Sequence, residues 1–269
     1  MKRPPPYIRE AGTGPGIVCL HANASTSSQW RELMDLLSGS YRVVAPDCYG
    51  SGKSPQMPSD RMLTLSDEVA FMEPAFASVG TPFSLIGHSY GGAVALIAAL
   101  KQPHRVRAVA LYEPTLFALV DANHPPPNDA DGIRNTAAAA QGALDVGNLD
   151  FAAECFNDFW AGSGTWNSIP EIRKPAITSS IINIPQWTHA LFTEPTPLAA
   201  FCALDIPILY MLGARSPESS RAVARLLVAV LARVRMVEFD GVRHMGTGTH
   251  PELVNEAIAA FLREHAVSA

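Results

Sequence analysis

Residues 82–92 read PFSLIGHSYGG, and the plan of the chain can be built around them. Phe83 to Ile86 form a short apolar run of the kind that is buried on both faces of a parallel sheet. The segment then opens GGAVALIAALKQ, whose small residues suit a helix packed closely on that sheet. Between the two stands Gly87-His88-Ser89-Tyr90-Gly91. A strand that turns straight into a helix strains the backbone at the corner, and flanking glycines avoid side-chain collisions there. Ser89 is therefore expected at the carboxyl end of a strand, above a helix N-terminus whose dipole favours developing negative charge. The Gly-x-Ser-x-Gly spacing alone says little; the strand before it and the helix after it give it meaning.

On either side the same rhythm recurs. PGIVCLHA (15–22) and YRVVAPD (41–47) read as strands. They are separated by SSQWRELMDLLSG, where Trp30, Leu33, Met34 and Leu37 recur at helical spacing and Gly39 marks the stop. A helix is expected over 64–79, bent at Pro74. RVRAVALYEP (105–114) is a further strand. From 115 the valine-rich runs disappear: HPPPNDADG (124–132) is a loop, and LDFAAECFNDFW and EPTPLAAFCAL read as short helical pieces. Strands IPILYMLG (206–213) and VRMVEFDG (234–241) then flank the amphipathic helix RAVARLLVAVLARV (221–234). A last helix is expected from Thr249, with Glu252 completing a capping box, to about His265. This alternation predicts an α/β fold: a mostly parallel sheet with helices on both faces. Residues 1–114 and 201–269 form its core, and 115–200 form an inserted helical cap.

Composition narrows the function. The 269 residues are 48% hydrophobic and 17% charged, enough for a substantial core. Twenty-five acidic against 20 basic side chains, a net charge of −5, argue against a nucleic-acid partner. No apolar run approaches the roughly 18 residues of a spanning helix, so no membrane partner is expected. The start MKRPPPYIREAG lacks the apolar stretch of a signal peptide. Cys19, Cys48, Cys155 and Cys202 form no Cys-x-x-Cys pair and read as reduced, mostly buried thiols of a cytoplasmic protein. With no His-Glu-x-x-His or carboxylate cluster, no metal is implied. Gly12–Gly16 precedes a strand, the wrong context for a dinucleotide loop, so no cofactor is expected.

A serine hydroxyl needs a base at neutral pH. Of eight histidines, His244 alone follows a late strand between glycines, in Asp240-Gly-Val-Arg-His-Met-Gly246. His88 adjoins Ser89, but its side chain should point away from it. An oxyanion hole needs two converging N–H groups. One is expected from Tyr90, and the other from the turn His21-Ala-Asn-Ala-Ser25, with Asn23 preferred to Ala22.

Four segments together resemble the α/β-hydrolase superfamily, specifically its small members with a helical cap: LHANAS, PDCYGSGKS, GHSYGG and GVRHMG, in that order. The likeness runs from about residue 15 to the end. It implies a Ser–acid–His chain order, with an aspartate in a Gly-x-x-Asp turn after a late strand. Here that stretch is Gly213-Ala-Arg-Ser-Pro217, so Ser216 stands where the acid is expected. Some members, haloalkane dehalogenases among them, place the acid one crossover earlier. That implies Glu113, at the end of the strand VALYEP, with Glu218 as the runner-up. Asp47 reads as structural, satisfying amides of its glycine turn.

With serine as nucleophile, the resemblance implies hydrolysis of a small carboxylic ester or lactone through an acyl-enzyme. Carbon–carbon bond hydrolysis of a vinylogous diketone and a non-catalytic ligand receptor are the alternatives. The aromatic residues Phe156, Phe159, Trp160, Trp166, Trp187 and Phe192 either line a substrate pocket or form the cap's own core. The expected partner is a small ester-like molecule.

Overall fold

The computed structural model describes residues 4–57 and 60–265; the basic start at 1–3 lies outside the described residues. The elements run β1 (Ile8–Ala11), β2 (Gly16–Leu20), α1 (Arg31–Leu37), β3 (Arg42–Pro46), α2 (Leu65–Phe71), α3 (Glu73–Ser78), β4 (Phe83–His88), α4 (Tyr90–Lys101) and β5 (Val106–Tyr112). Between β5 and the next strand stand α5 (Phe117–Asn123), α6 (Asp131–Asp145), α7 (Leu149–Ala161), α8 (Lys174–Ile181) and α9 (Ile184–Phe192). The chain closes with β6 (Ile208–Gly213), α10 (Glu218–Val230), β7 (Val234–Phe239), α11 (Gly246–Thr249) and α12 (Pro251–Glu264). The sheet order is β1-β3-β2-β4-β5-β6-β7, parallel throughout except for β1, which pairs antiparallel with β3.

Strand periodicity divides the core in two. Val18, Leu20, Val44, Leu85, Val109 and Leu111 face α4 and the inserted helices; Ile17, Cys19, Val43, Ile86, Ala110 and Tyr112 face α1 and α12. Successive residues of one strand thus serve opposite layers, so both faces must be apolar. Helix α4 is buried along nearly its whole length, which explains its run of Gly and Ala: a larger side chain has nowhere to go. The edge strand β7 is partly exposed and carries charges; Arg235 pairs with Glu264 of α12 and Glu238 with Arg221 of α10.

Three local expectations fail for identifiable reasons. The helix over 64–79 is two helices, because Pro74 supplies no N–H and begins a new helix rather than bending the old one. The Thr249–Glu252 capping box does not form. His250 occupies the N-cap of α12 with Pro251 behind it, and the Thr249 hydroxyl donates to the Met245 carbonyl instead. The thiols are not mostly buried: Cys19 and Cys48 are, Cys155 is half-buried and Cys202 is exposed. No helix among the described residues is long and apolar enough to cross a membrane.

Candidate active site

Parallel pairing delivers the carboxyl ends of β2, β4, β5 and β6 side by side, with Leu20 opposite Gly87, His88 opposite Tyr112 and Tyr112 opposite Met211. Each strand then turns into a segment bearing one of the predicted residues. Ser89 follows β4 with φ 55° and ψ −118°, a left-handed conformation that serine adopts only under constraint. The constraint is packing around the corner. A Cβ on Gly87 would sit 2.5 Å from the Gly91 carbonyl oxygen, and one on Gly91 would sit 2.3 Å from that of Leu20. Only hydrogen fits at either position.

Next along the sheet, Glu113 directly follows β5, also with positive φ (46°). It is fully buried and its oxygens divide their partners. Oε1 accepts from the Gly213 N–H at 2.7 Å and from the Ser216 hydroxyl at 2.5 Å; Oε2 faces His244 Nδ1 at 2.6 Å. A carboxylate oxygen only accepts, so the imidazole proton sits on Nδ1. Nε2 is left to accept from the Ser89 hydroxyl, 2.9 Å away. The Ser220 hydroxyl lies 3.4 Å from Nδ1 as a weak extra contact. The structure thus brings Ser89, His244 and Glu113 into one unbroken hydrogen-bonded line. Glu218 is not part of it; that carboxylate pairs with Arg225 on the surface. Ser216 stands beside the acid and donates to it.

The two oxyanion candidates separate from Ala22 by their bonds. The Ala22 N–H is engaged by Gln29 Oε1 at 3.1 Å, whereas those of Asn23 and Tyr90 meet no protein acceptor among the described residues. His21 shapes this turn. Its Nδ1–H donates to the Ala22 carbonyl and its Nε2 accepts from the Cys48 N–H, so the ring is neutral, in keeping with a burial that lowers its pKa. Asp47 accepts from the N–H groups of Ser27 and Lys53, tying the same turn to the glycine loop below.

Sequence reasoning missed the supports of His244. The His88 ring lies against the histidine loop, 5.1 Å from the His244 ring, and donates from Nε2 to the His244 carbonyl. Burial, and secondarily the nearby His244, push its pKa well below the ordinary range, which leaves Nδ1 free to accept from Gln29 and Thr247. Tyr112 donates to the Arg243 carbonyl at 2.8 Å and meets His88 edge to face. The signal was present but not linear: cross-strand register sets His88 and Tyr112 side by side.

Above Ser89 the inserted helices enclose a cavity of about 30 Å³, lined by Thr115, Phe117, Ile133, Thr188, Leu191 and Phe192 together with Phe156, Trp160 and Met245. The Trp160 ring stacks on His244 at 4.0 Å. Beyond Trp160, a second cavity of about 90 Å³ is lined by Ala153, Asn157, Ile177 and Ile181 and shares Asn23, Phe156, Trp160 and Met245 with the first. Of the aromatic candidates, then, Phe156, Trp160 and Phe192 line the site. Trp166 and Trp187 are buried in the large apolar core, and Phe159 packs edge to face on Trp160.

Residues 17–257 match the sequence profile described as "Alpha/beta hydrolase family". A haloalkane dehalogenase of Agrobacterium fabrum is 36% identical over 108 residues, 40% of this chain and 35% of that protein. For that and the next three curated relatives, the match covers only 23% to 38% of the relative's own length. An (E)-2-((N-methylformamido)methylene)succinate hydrolase of Acinetobacter baylyi is 23% identical over 94% of this chain and 92% of its own. Among solved structures, a carboxylesterase from Bacillus subtilis superposes with a TM-score of 0.71 at 21% identity, over 95% of this chain and 86% of that one, a likeness of fold. With a profile match over most of its length and the strand-end geometry of Ser89 and His244, the chain belongs to the alpha/beta hydrolase family.

Proposed function

We propose that the chain is a serine hydrolase of small, uncharged carboxylic esters or lactones, with residues 115–200 as a cap over its site. The observation that carries this reading is the buried line Ser89–His244–Glu113, with contacts of 2.9 and 2.6 Å, opening into one cavity. As an ester carbonyl enters, Ser89 Oγ attacks it while Nε2 takes the hydroxyl proton. Glu113 holds the Nδ1–H and offsets the positive charge that the ring acquires. The N–H groups of Asn23 and Tyr90 receive the oxyanion, aided by the N-terminus of α4. His244 then passes the proton to the leaving alcohol, and water reverses the sequence to free the acid.

The wall composition narrows the substrate. No Lys, Arg, Asp or Glu is among the residues lining the cavity, so a carboxylate would be buried without a counter-charge, at a cost of several kcal/mol. This disfavours dicarboxylates of the kind in the Acinetobacter relative's name. The cavity has room for roughly two or three water-sized groups, which points to a short acyl chain. A serine nucleophile speaks against dehalogenation, which in relatives of this fold uses an aspartate at the elbow.

The test is hydrolysis of nitrophenyl acetate by the purified chain and by Ser89→Ala. The expected result is a Ser89-dependent acyl-enzyme, trapped and seen as a mass increase on the Ser89 peptide, with turnover lowered at least 10³-fold in the variant. Equal rates in the two proteins, or no turnover of any short ester, would overturn the reading.

A further inference from the structure

Thr115 is a polar residue of the cavity to which the acyl-transfer chemistry assigns no task. It lies two residues beyond Glu113, where the chain leaves the sheet, and its N–H donates to the Ser89 carbonyl at 3.3 Å. That bond fixes it against the corner that presents the nucleophile. Its side chain lines the cavity and is 1% exposed. Its hydroxyl bonds no protein group among the described residues. A buried hydroxyl without a partner costs free energy that a bound hydrogen-bonding group recovers. Valine would fill the same volume at no such cost, so an acyl pocket meant for plain alkyl chains has no use for this hydroxyl. Around it Phe117, Ile133, Leu191 and Phe192 are apolar; Thr188, the wall's other threonine, is only half-buried and stands on α9 rather than at the corner beside Ser89. A second buried cavity-lining atom with no bond, Asn23 Oδ1, belongs to a half-buried residue shared with the second cavity beyond Trp160.

We propose that Thr115 is a specificity-determining residue that hydrogen-bonds a neutral polar substituent on the acyl group, so that the preferred substrates are esters of short hydroxy- or alkoxy-acids. The substituent is neutral because no charged side chain lines the wall, and close to the carbonyl because Thr115 is tied to Ser89. The inference rests on the ester-hydrolase reading of the same site.

The experiment compares kcat/KM for phenyl esters matched in size, hydroxyacetate against propionate and methoxyacetate against butyrate. Each value is divided by that ester's alkaline hydrolysis rate to remove intrinsic reactivity. The wild-type chain is expected to favour the polar member of each pair at least tenfold. Thr115→Val should bring the ratio to about one by slowing the polar esters alone, and Thr115→Ser should keep the preference. A ratio near one in the wild type, or an equal loss on both members in Thr115→Val, overturns the assignment. Should Thr115→Val fail to fold by circular dichroism, the wild-type ratio decides. Turnover that depends on Ser89 but shows no polar preference removes this inference alone; absence of any such turnover removes the hydrolase reading with it.

Discussion

Glu113 and Glu68 are both fully buried carboxyl groups, one at a strand end and one on a helix, and they differ in what surrounds them. Glu113 meets three donors, and one of them, His244, is the group that the proposed acyl transfer would charge as it takes the Ser89 proton. Among the described residues, Glu68, on α2, accepts only from the Tyr49 N–H at 3.0 Å and the Tyr90 hydroxyl at 2.9 Å, neither of which becomes a cation. Burial therefore wins at Glu68 and pushes its carboxyl up to about 7 against the pull of those two bonds. Glu113 thus has one donor more than Glu68, and that donor is an imidazole. Glu68 instead braces: it links the Tyr49 turn to the side chain of Tyr90, the residue proposed to supply one oxyanion N–H.

The largest expected effect is at Glu113. Glu113→Gln should lower kcat by 10³- to 10⁴-fold with little change in melting temperature. The new amide donates to Nδ1, moves the ring proton to Nε2 and leaves nothing to accept the serine proton. A rate within tenfold of wild type, measured with the same ester, would erase the distinction drawn between the two glutamates.

Glu68 should show itself in stability against pH rather than in rate. Its folded value lies above the ordinary 4.5, so between about 4.5 and 7 the folded state binds more protons than the unfolded chain. Stability supplied by this group is thus present below 4.5 and lost as pH rises through 7. Glu68→Gln carries no such titration. Its unfolding free energy relative to wild type should move in the variant's favour by about 3 kcal/mol between pH 4.5 and 8, as followed by urea titration. Parallel curves for the two proteins would show that Glu68 is charged throughout.

Smaller still is the effect expected at Ser216, one donor of three. Ser216→Ala should reduce kcat about tenfold and leave KM nearly unchanged, since the lost bond positions the acid and not the substrate. If kcat is untouched, the Gly213 N–H alone suffices to hold Oε1.

The elbow is legible in the sequence because all its causes are local: a buried run, two glycines, a helix of small residues. His244 and Glu113 are legible one step less directly, through strand-end logic and chain order. His88, Tyr112 and His21 are not, because they act through cross-strand register and carbonyl contacts that residue spacing does not encode. The strand β1 escapes for another reason. It is a four-residue, largely half-exposed edge strand, IREA, without the alternation that marks a strand, and pairing with β3 is what makes it one. The capping box expected at Thr249 shows the converse, a sound local motif displaced by the proline two residues on.

The five helices α5–α9 depart from β5 and return to β6, and these two strands are immediate neighbours in the sheet. The whole excursion therefore begins and ends within one strand spacing, and loop-closure entropy rises only with the logarithm of its length. A change in the length of the excursion therefore costs the sheet little, whereas Trp160 of α7, stacked on His244, ties its interior to the hydrogen-bonded line beneath.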